Sequence, residues 1–262
     1  HEVILDKRLP RYNLIYLYFL VRKLKKHNFS KVFDLQNSSR TNFYKNILFP
    51  KADQVNWSSS ITTLPKDTNK EEFDKMSVLE RFNYQLKKSG LTTNNTLRPN
   101  FSWAESDISQ IKKHFELNKF ILLFPFCSPH LTLKKWPYYN KLIDLISKKY
   151  TNEYKIVTAP GPSEINEAKE INAITLLDNG RALDISQLTS LIKDSSFIVA
   201  NDTGPAHIAA HVGAKGLTLF GKHTTAYKVN IERENFKAIE VTDLKNLSAE
   251  KVFERLNNIL VK

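Results

Sequence analysis

Short apolar runs alternate along the chain with segments whose apolar residues recur every three or four positions. The first pattern reads as a strand covered on both faces, the second as a helix packed on one side. Beyond residue 101 the alternation is regular. Predicted strands fall at residues 120–126, 154–159, 173–177, 197–201, 217–220 and 238–241. Predicted helices lie between them at 136–149, 163–171, 185–193 and 205–212, and residues 248–261 close the chain as an amphipathic helix. Repeated β-α-β units build mostly parallel sheets.

The first hundred residues are less regular. Residues 14–27 read as a helix, 31–35 as a buried strand, and 77–88 as a helix stopped by Ser89-Gly90. The pattern opens inside an apparent strand at residues 2–5, with His1 in first place, so an N-terminal piece is expected to precede it. Residues 91–101 are polar and contain Pro99, which reads as a linker. The expected division is therefore 1–100 and 101–262.

Composition adds three constraints. One cysteine, Cys127, rules out an intrachain disulfide and points to a reducing compartment. A net charge of +12 favours an anionic partner. The lysines are scattered and form no aromatic-basic platform, so nucleic acid is not expected as that partner. The apolar run at residues 14–21 is too short to span a bilayer and meets Arg22, Lys23, Lys25 and Lys26. It reads as a helix packed on a sheet, with peripheral membrane contact as the alternative.

In open α/β sheets, ligands sit beyond the carboxyl ends of the strands. The strand at 197–201 runs into Asn201-Asp202-Thr203-Gly204-Pro205-Ala206-His207, where a helix begins. Thr203 or Asp202 is expected to cap it, and Pro205 suits its first position. Gly204 allows close approach of a ligand, and the helix terminus attracts an anion. His207, one turn in, can add a donor. The alternative is a capped buried helix with no ligand.

The first strand of this half ends in Cys127 and Ser128-Pro129-His130, followed by Lys134-Lys135-Trp136-Pro137. Lysines there can neutralise phosphate and Ser128 can donate to it. The next loop carries Glu164, suited to accepting from ribose hydroxyls or, equally, to starting a helix. No Gly-x-Gly-x-x-Gly, Walker-type loop or metal-ligand spacing is present.

Together these motifs resemble glycosyltransferase family nine, the bacterial lipopolysaccharide heptosyltransferases. The resemblance rests on residues 201–210 with Gly213 and Leu219-Phe220-Gly221, on Ser128–His130 and Lys134–Pro137, and on Phe33-Asp34-Leu35-Gln36-Asn37 with Arg40. It implies a GT-B fold, with two Rossmann-like domains facing a cleft. It implies inverting, metal-independent sugar transfer from ADP-heptose to a lipopolysaccharide-core acceptor, without a cofactor. The donor side would comprise Ser128, His130, Lys134, Glu164, Asp202, Thr203, Gly204 and His207. The acceptor side would comprise Gln36, Asn37 and Arg40. Partners would be the nucleotide sugar and an anionic glycolipid, in the cytoplasm or on the inner membrane face. The family's acidic base would lie upstream of His1, and Asp34 sits on a different strand. Retained nucleotide binding without catalysis, and a basic nucleic-acid module, are the alternatives. After Gly221 the family usually shows Pro-Thr, whereas this chain has Lys222-His223-Thr224-Thr225.

Overall fold

A computed structural model describes residues 2–36, 38–50, 56–59, 64, 67–128 and 130–260. The chain divides into two compact units, His1–Leu97 and Arg98–Lys262. The division falls inside the polar stretch at 91–101.

The first unit contains α1 (Leu14–Lys25), β1 (Val32–Asp34), α2 (Ser39–Leu48), β2 (Trp57–Ser59), α3 (Lys70–Lys75) and α4 (Val78–Lys88). β1 and β2 pair in parallel, with Phe33 opposite Ser58. Residues 2–5 do not form the expected strand; Val3 and Leu5 are exposed. α1 also departs from expectation. Its Leu20 is buried, but Leu14, Ile15, Tyr18 and Phe19 are exposed. Among the described residues the sheet of this unit has two strands of three residues each, which offer little apolar surface to a helix of 12 residues.

Sequence periodicity passes over α2, because Arg, Thr, Asn and Lys break up its apolar stripe. Its start is nevertheless encoded: Ser38 accepts from the Thr41 N–H while Thr41 Oγ1 accepts from the Ser38 N–H. α4 uses the same device with Ser77 and Glu80.

The second unit contains α5 (Ser109–His114), β3 (Phe120–Phe124), α6 (Tyr139–Lys149), β4 (Lys155–Thr158), α7 (Ile165–Ala168), β5 (Ile174–Thr175), α8 (Ile185–Asp194), β6 (Phe197–Asn201), α9 (Gly204–Val212), β7 (Gly216–Phe220), α10 (Ala226–Val229), β8 (Phe236–Glu240) and α11 (Ala249–Leu260). All pairings are parallel, in the order β5-β4-β3-β6-β7-β8. The order reverses between β3 and β6, the topological switch point of a doubly wound sheet.

The apolar runs bury both faces of this sheet. On one face Phe120, Leu122 and Phe124 pack with Ile111 of α5, Leu191 of α8 and Ala209 of α9. On the other, Ile121 and Leu123 pack with Leu142 and Ile146 of α6 and Leu256 of α11. Alternate strand residues therefore serve opposite layers. α6 begins at Tyr139 rather than at 136, because a residue before proline, here Trp136, is disfavoured in the helical region. Trp136 is instead an anchor, donating its indole N–H to Leu247 O at 2.7 Å.

Candidate functional site

β3 and β6 run side by side and end together at the switch point. The loops that leave them carry most of the residues singled out on the donor side. Asn201, the last residue of β6, ties these loops together. Its amide donates to Pro125 O at 2.8 Å and to Phe126 O at 3.4 Å. Its Oδ1 accepts from the Tyr139 hydroxyl at 3.2 Å and from the Trp136 N–H at 3.3 Å. Asn201 is fully buried, so these bonds replace the water it has lost. The sequence presents it as part of an anion turn; the structure makes it the fastener of that turn.

α9 begins as expected after Asn201, but its cap differs. Thr203 holds the capping position with an extended backbone, yet no side chain caps the helix. Thr203 Oγ1 donates back to Asn201 O at 3.3 Å. The Asp202 carboxylate is engaged elsewhere, so neither residue caps α9 through its side chain. The Ala206 and His207 N–H groups both donate to Thr203 O, at 3.1 and 3.4 Å, so what this end of α9 offers a ligand is the exposed Gly204 backbone and the positive end of the helix dipole. Pro205 takes the second helical position, where its missing N–H leaves no donor unsatisfied. A methyl group built on Gly204 would point into open space. The backbone there is accessible to a ligand.

Asp202 is buried and is the electrostatic centre of the site. Its Oδ2 accepts from Lys134 Nζ at 2.6 Å and lies 3.0 Å from His223 Nε2. Its Oδ1 lies 3.5 Å from His207 Nε2. Burial alone would raise its pKa. The contacts from His207, Lys134 and His223 outweigh burial and hold the carboxyl well below the usual carboxylate range. Lys134 comes from the short turn Thr132–Lys134 beyond β3 and also reaches Asp202 O at 3.3 Å. The turn at 201–207 and the loop after β3 therefore meet through one charged contact.

Beside this cluster a cavity of about 250 Å³ is lined by Phe124, Phe126, Ala159, Pro160, Gly161, Glu164, Leu183, Leu188, Thr203 and Pro205. Its walls are largely apolar and its polar atoms are few, the usual make-up of a pocket for a flat organic group. Glu164 stands at its edge. Its Oε2 accepts from the Gly161 N–H at 2.8 Å, and burial raises its pKa. Ser128 and His130 lie exposed on the loop after β3.

The first-unit residues are arranged differently. Gln36 is exposed, and Asn37 lies outside the described residues. Arg40 is half-buried and internally paired. Its Nε donates to Asp6 Oδ2 at 2.9 Å and to the Tyr44 hydroxyl at 2.7 Å, and its Nη2 donates to Leu9 O at 2.9 Å. Asp6 also accepts from the Tyr16 and Tyr44 hydroxyls. Burial would raise the Asp6 pKa, but these donors hold it well below the usual range. Its burial and the Asp6 charge push the Tyr44 hydroxyl up to about 12. Asp6 therefore already neutralises the Arg40 charge.

For Asn201 and His223 the sequence pointed to the right segments, the turn at 201–207 and the loop after Gly221, but not to what their side chains hold. His223 follows β7, and the rule that pointed to the ends of β3 and β6 applies to β7 as well. Among the described residues no group of three His, Cys, Asp or Glu is arranged to hold a metal ion. No helix among them is long and apolar enough to cross a membrane.

The profile of Glycosyltransferase family 9 (heptosyltransferase) matches residues 17–255. ADP-heptose lps heptosyltransferase II of E. coli is similar in structure, with a TM-score of 0.66 and 18% identity over 93% of this chain and 80% of that one. A family 9 glycosyl transferase from Veillonella parvula gives a TM-score of 0.72 and 13% identity, over 99% of this chain and 82% of that one. E. coli heptosyltransferase WaaC with ADP gives 0.61 and 14%, over 96% and 79%. At these identities the structural likeness shows the fold alone, that of GT-B glycosyltransferases. A search of curated proteins gives no match. With a family profile matched from α1 to α11, the chain belongs to glycosyltransferase family 9 and is an enzyme of glycosyl transfer.

Proposed function

We propose that this enzyme transfers heptose from ADP-heptose onto a lipopolysaccharide-core-type acceptor, with inversion and without a metal ion. One observation carries the reading: an apolar cavity at the switch point opens beside a helix terminus and an ammonium group. The adenine lies against Phe126, Pro160 and Leu183, and Glu164 accepts from the ribose. The diphosphate lies at Gly204 and Thr203, with Lys134 and His207 as cationic or N–H donors and Ser128 and His130 on the adjoining loop. Asp202 takes part indirectly: an acceptor-only carboxylate anchors Lys134 and does not bind phosphate itself.

This arrangement suits departure of a nucleoside diphosphate. As the bond from the anomeric carbon to the diphosphate breaks, negative charge builds on the leaving oxygens. Fixed N–H groups and an ammonium stabilise that charge. The acceptor hydroxyl attacks from the opposite face of the sugar, which inverts the centre. The acceptor is assigned to the first unit, through Gln36, Asn37 and Arg40, and the +12 charge suits an anionic glycolipid at the cytoplasmic face of the inner membrane. No residue of this chain is assigned as the acceptor base.

Thermal unfolding with and without nucleotides tests the donor assignment. ADP at a hundredfold excess over its Kd adds about 2.7 kcal/mol of stability. UDP and GDP at the same concentration should add less. No shift with ADP or ADP-heptose overturns the reading. Binding without transfer from ADP-heptose favours a nucleotide-binding protein that has lost catalysis.

A further inference from the structure

His223 lies on the loop beyond β7, where this chain departs from the pattern its motifs resemble. Its ring stacks on Phe220, with centroids 6.0 Å apart and planes at 19°, and its side chain is only 11% exposed. Nε2 lies 3.0 Å from Asp202 Oδ2, the same oxygen that holds Lys134 at 2.6 Å. The carboxylate has no proton to give, so Nε2 carries the proton and donates. Nδ1 is buried and has no hydrogen-bond partner among the described residues. Only the contact with Asp202 therefore fixes the ring by hydrogen bonding.

Three elements thus converge on one buried carboxylate: the turn of Lys134, the start of α9 and the loop after β7. Lys134 donates to Asp202 twice, to the carboxylate and to the backbone carbonyl. A diphosphate at the start of α9 needs the same ammonium. If Lys134 turned toward it with no other donor present, Asp202 would be left as a buried unpaired anion, which is strongly unfavourable. His207, 3.5 Å from Oδ1, is assigned to the same diphosphate, so His223 is the donor that stays on the carboxylate, at Oδ2, while Lys134 turns.

We propose that His223 is a positioning residue of the donor site, holding Asp202 so that Lys134 can engage the donor diphosphate. The proposal rests on the donor-site reading above. His223 need not touch the ligand; it acts through Asp202 and Lys134.

Isothermal titration with ADP tests this on wild type, His223→Ala, His223→Gln, His223→Asn, Lys134→Ala and the Lys134→Ala/His223→Ala double variant. His223→Ala should weaken ADP binding about tenfold, as for a lost hydrogen bond to a charged group. His223→Gln, whose amide nitrogen reaches as far as Nε2, should recover most of the affinity. The shorter Asn should not, and this pair keeps the test decisive if the alanine variant fails to fold. The double variant should bind no more weakly than Lys134→Ala alone. An unchanged affinity in His223→Ala and His223→Asn overturns the proposal, even if their melting temperatures fall. So do additive losses in the double variant. If wild type binds no ADP, the donor-site reading falls and takes this one with it. Wild-type binding with indifferent His223 variants overturns this one alone.

Discussion

The two units bury their interiors by different means. In the second, the fully covered residues are mainly strand Leu, Ile, Val and Phe packed against helices on both sides. In the first, the buried described residues are Leu20, Trp57 and Phe73 with Asp34, Ser58, Ser59, Ser77 and Gln85. One interior is packed; the other is stitched by hydrogen bonds. In a packed interior, a buried polar group needs a specific reason to be there. In the second unit Asn201 and Asp202 are such groups, and both stand at the switch point. Thr158, Thr189, Ser190, His211 and Thr218 are buried polar groups elsewhere in this unit; Asn201 and Asp202 are adjacent and join the loops that leave β3 and β6.

The largest test of this contrast is Leu122→Ala. Leu122 lies in central β3 and is fully buried among residues of β4, β6 and the covering helices. The substitution should cost about 3–5 kcal/mol through lost burial and an unfilled cavity. Hydrogen exchange resolved by segment is the measurement. Protection should fall across the second unit, while amides of β1 and β2 change little. A loss of 1 kcal/mol or less would mean that the sheet is not close-packed there.

A smaller effect should come from His211, at the far end of α9. Burial pushes its pKa from 6.5 down to about 4, helped by the charges of Arg233 and His207. Its Nδ1 lies 3.3 Å from Arg233 Nη2, which suits a neutral ring accepting a hydrogen bond. The folded state therefore binds fewer protons than the unfolded state between these two values. Stability from this group is complete above pH 6.5 and falls as pH drops toward about 4, by roughly 2–3 kcal/mol. His211→Asn keeps an acceptor and removes the titration. Unfolding by urea across this range should be less pH-dependent in the variant. Equal slopes would show that the imidazole is not held neutral.

The packed unit was largely legible in the sequence and the stitched one only in part: α1, β1 and α4 stand where the pattern puts them, whereas α2, β2 and α3 escaped it. Buried strands such as Phe197–Asn201 and Gly216–Phe220 advertise themselves as apolar runs. β2, Trp57–Ser59, is buried along its length but two of its three residues are serine, so hydrophobic pattern passes over it. The site divides similarly. The loops at strand ends were visible because Gly204, Lys134 and Glu164 lie just past apolar runs. What one sequence cannot give is which charges meet. It offered Asp202 and Thr203 as caps of α9, whereas long-range contacts send Asp202 to Lys134 and His223, 68 and 21 residues away. Arg40 likewise meets Asp6, 34 residues away, which follows directly on the residues 2–5 read as a strand.

The smallest test addresses the stitching itself. Gln85 is fully buried on α4, and its amide donates to Asp34 O and Ser58 O at 3.0 Å each. One side chain thus bridges β1 and β2. Gln85→Met keeps nearly the same length and volume but removes both donors. Two buried carbonyls would lose a partner, which should cost about 1–2 kcal/mol, less than the cavity in β3. The loss should appear as faster exchange in β1, β2 and α4, with the second unit unaffected. A neutral or stabilising Gln85→Met would mean that volume, rather than donation, holds the helix on the strands. The first unit would then be packed like the second, and the contrast between them would reduce to the number of strands.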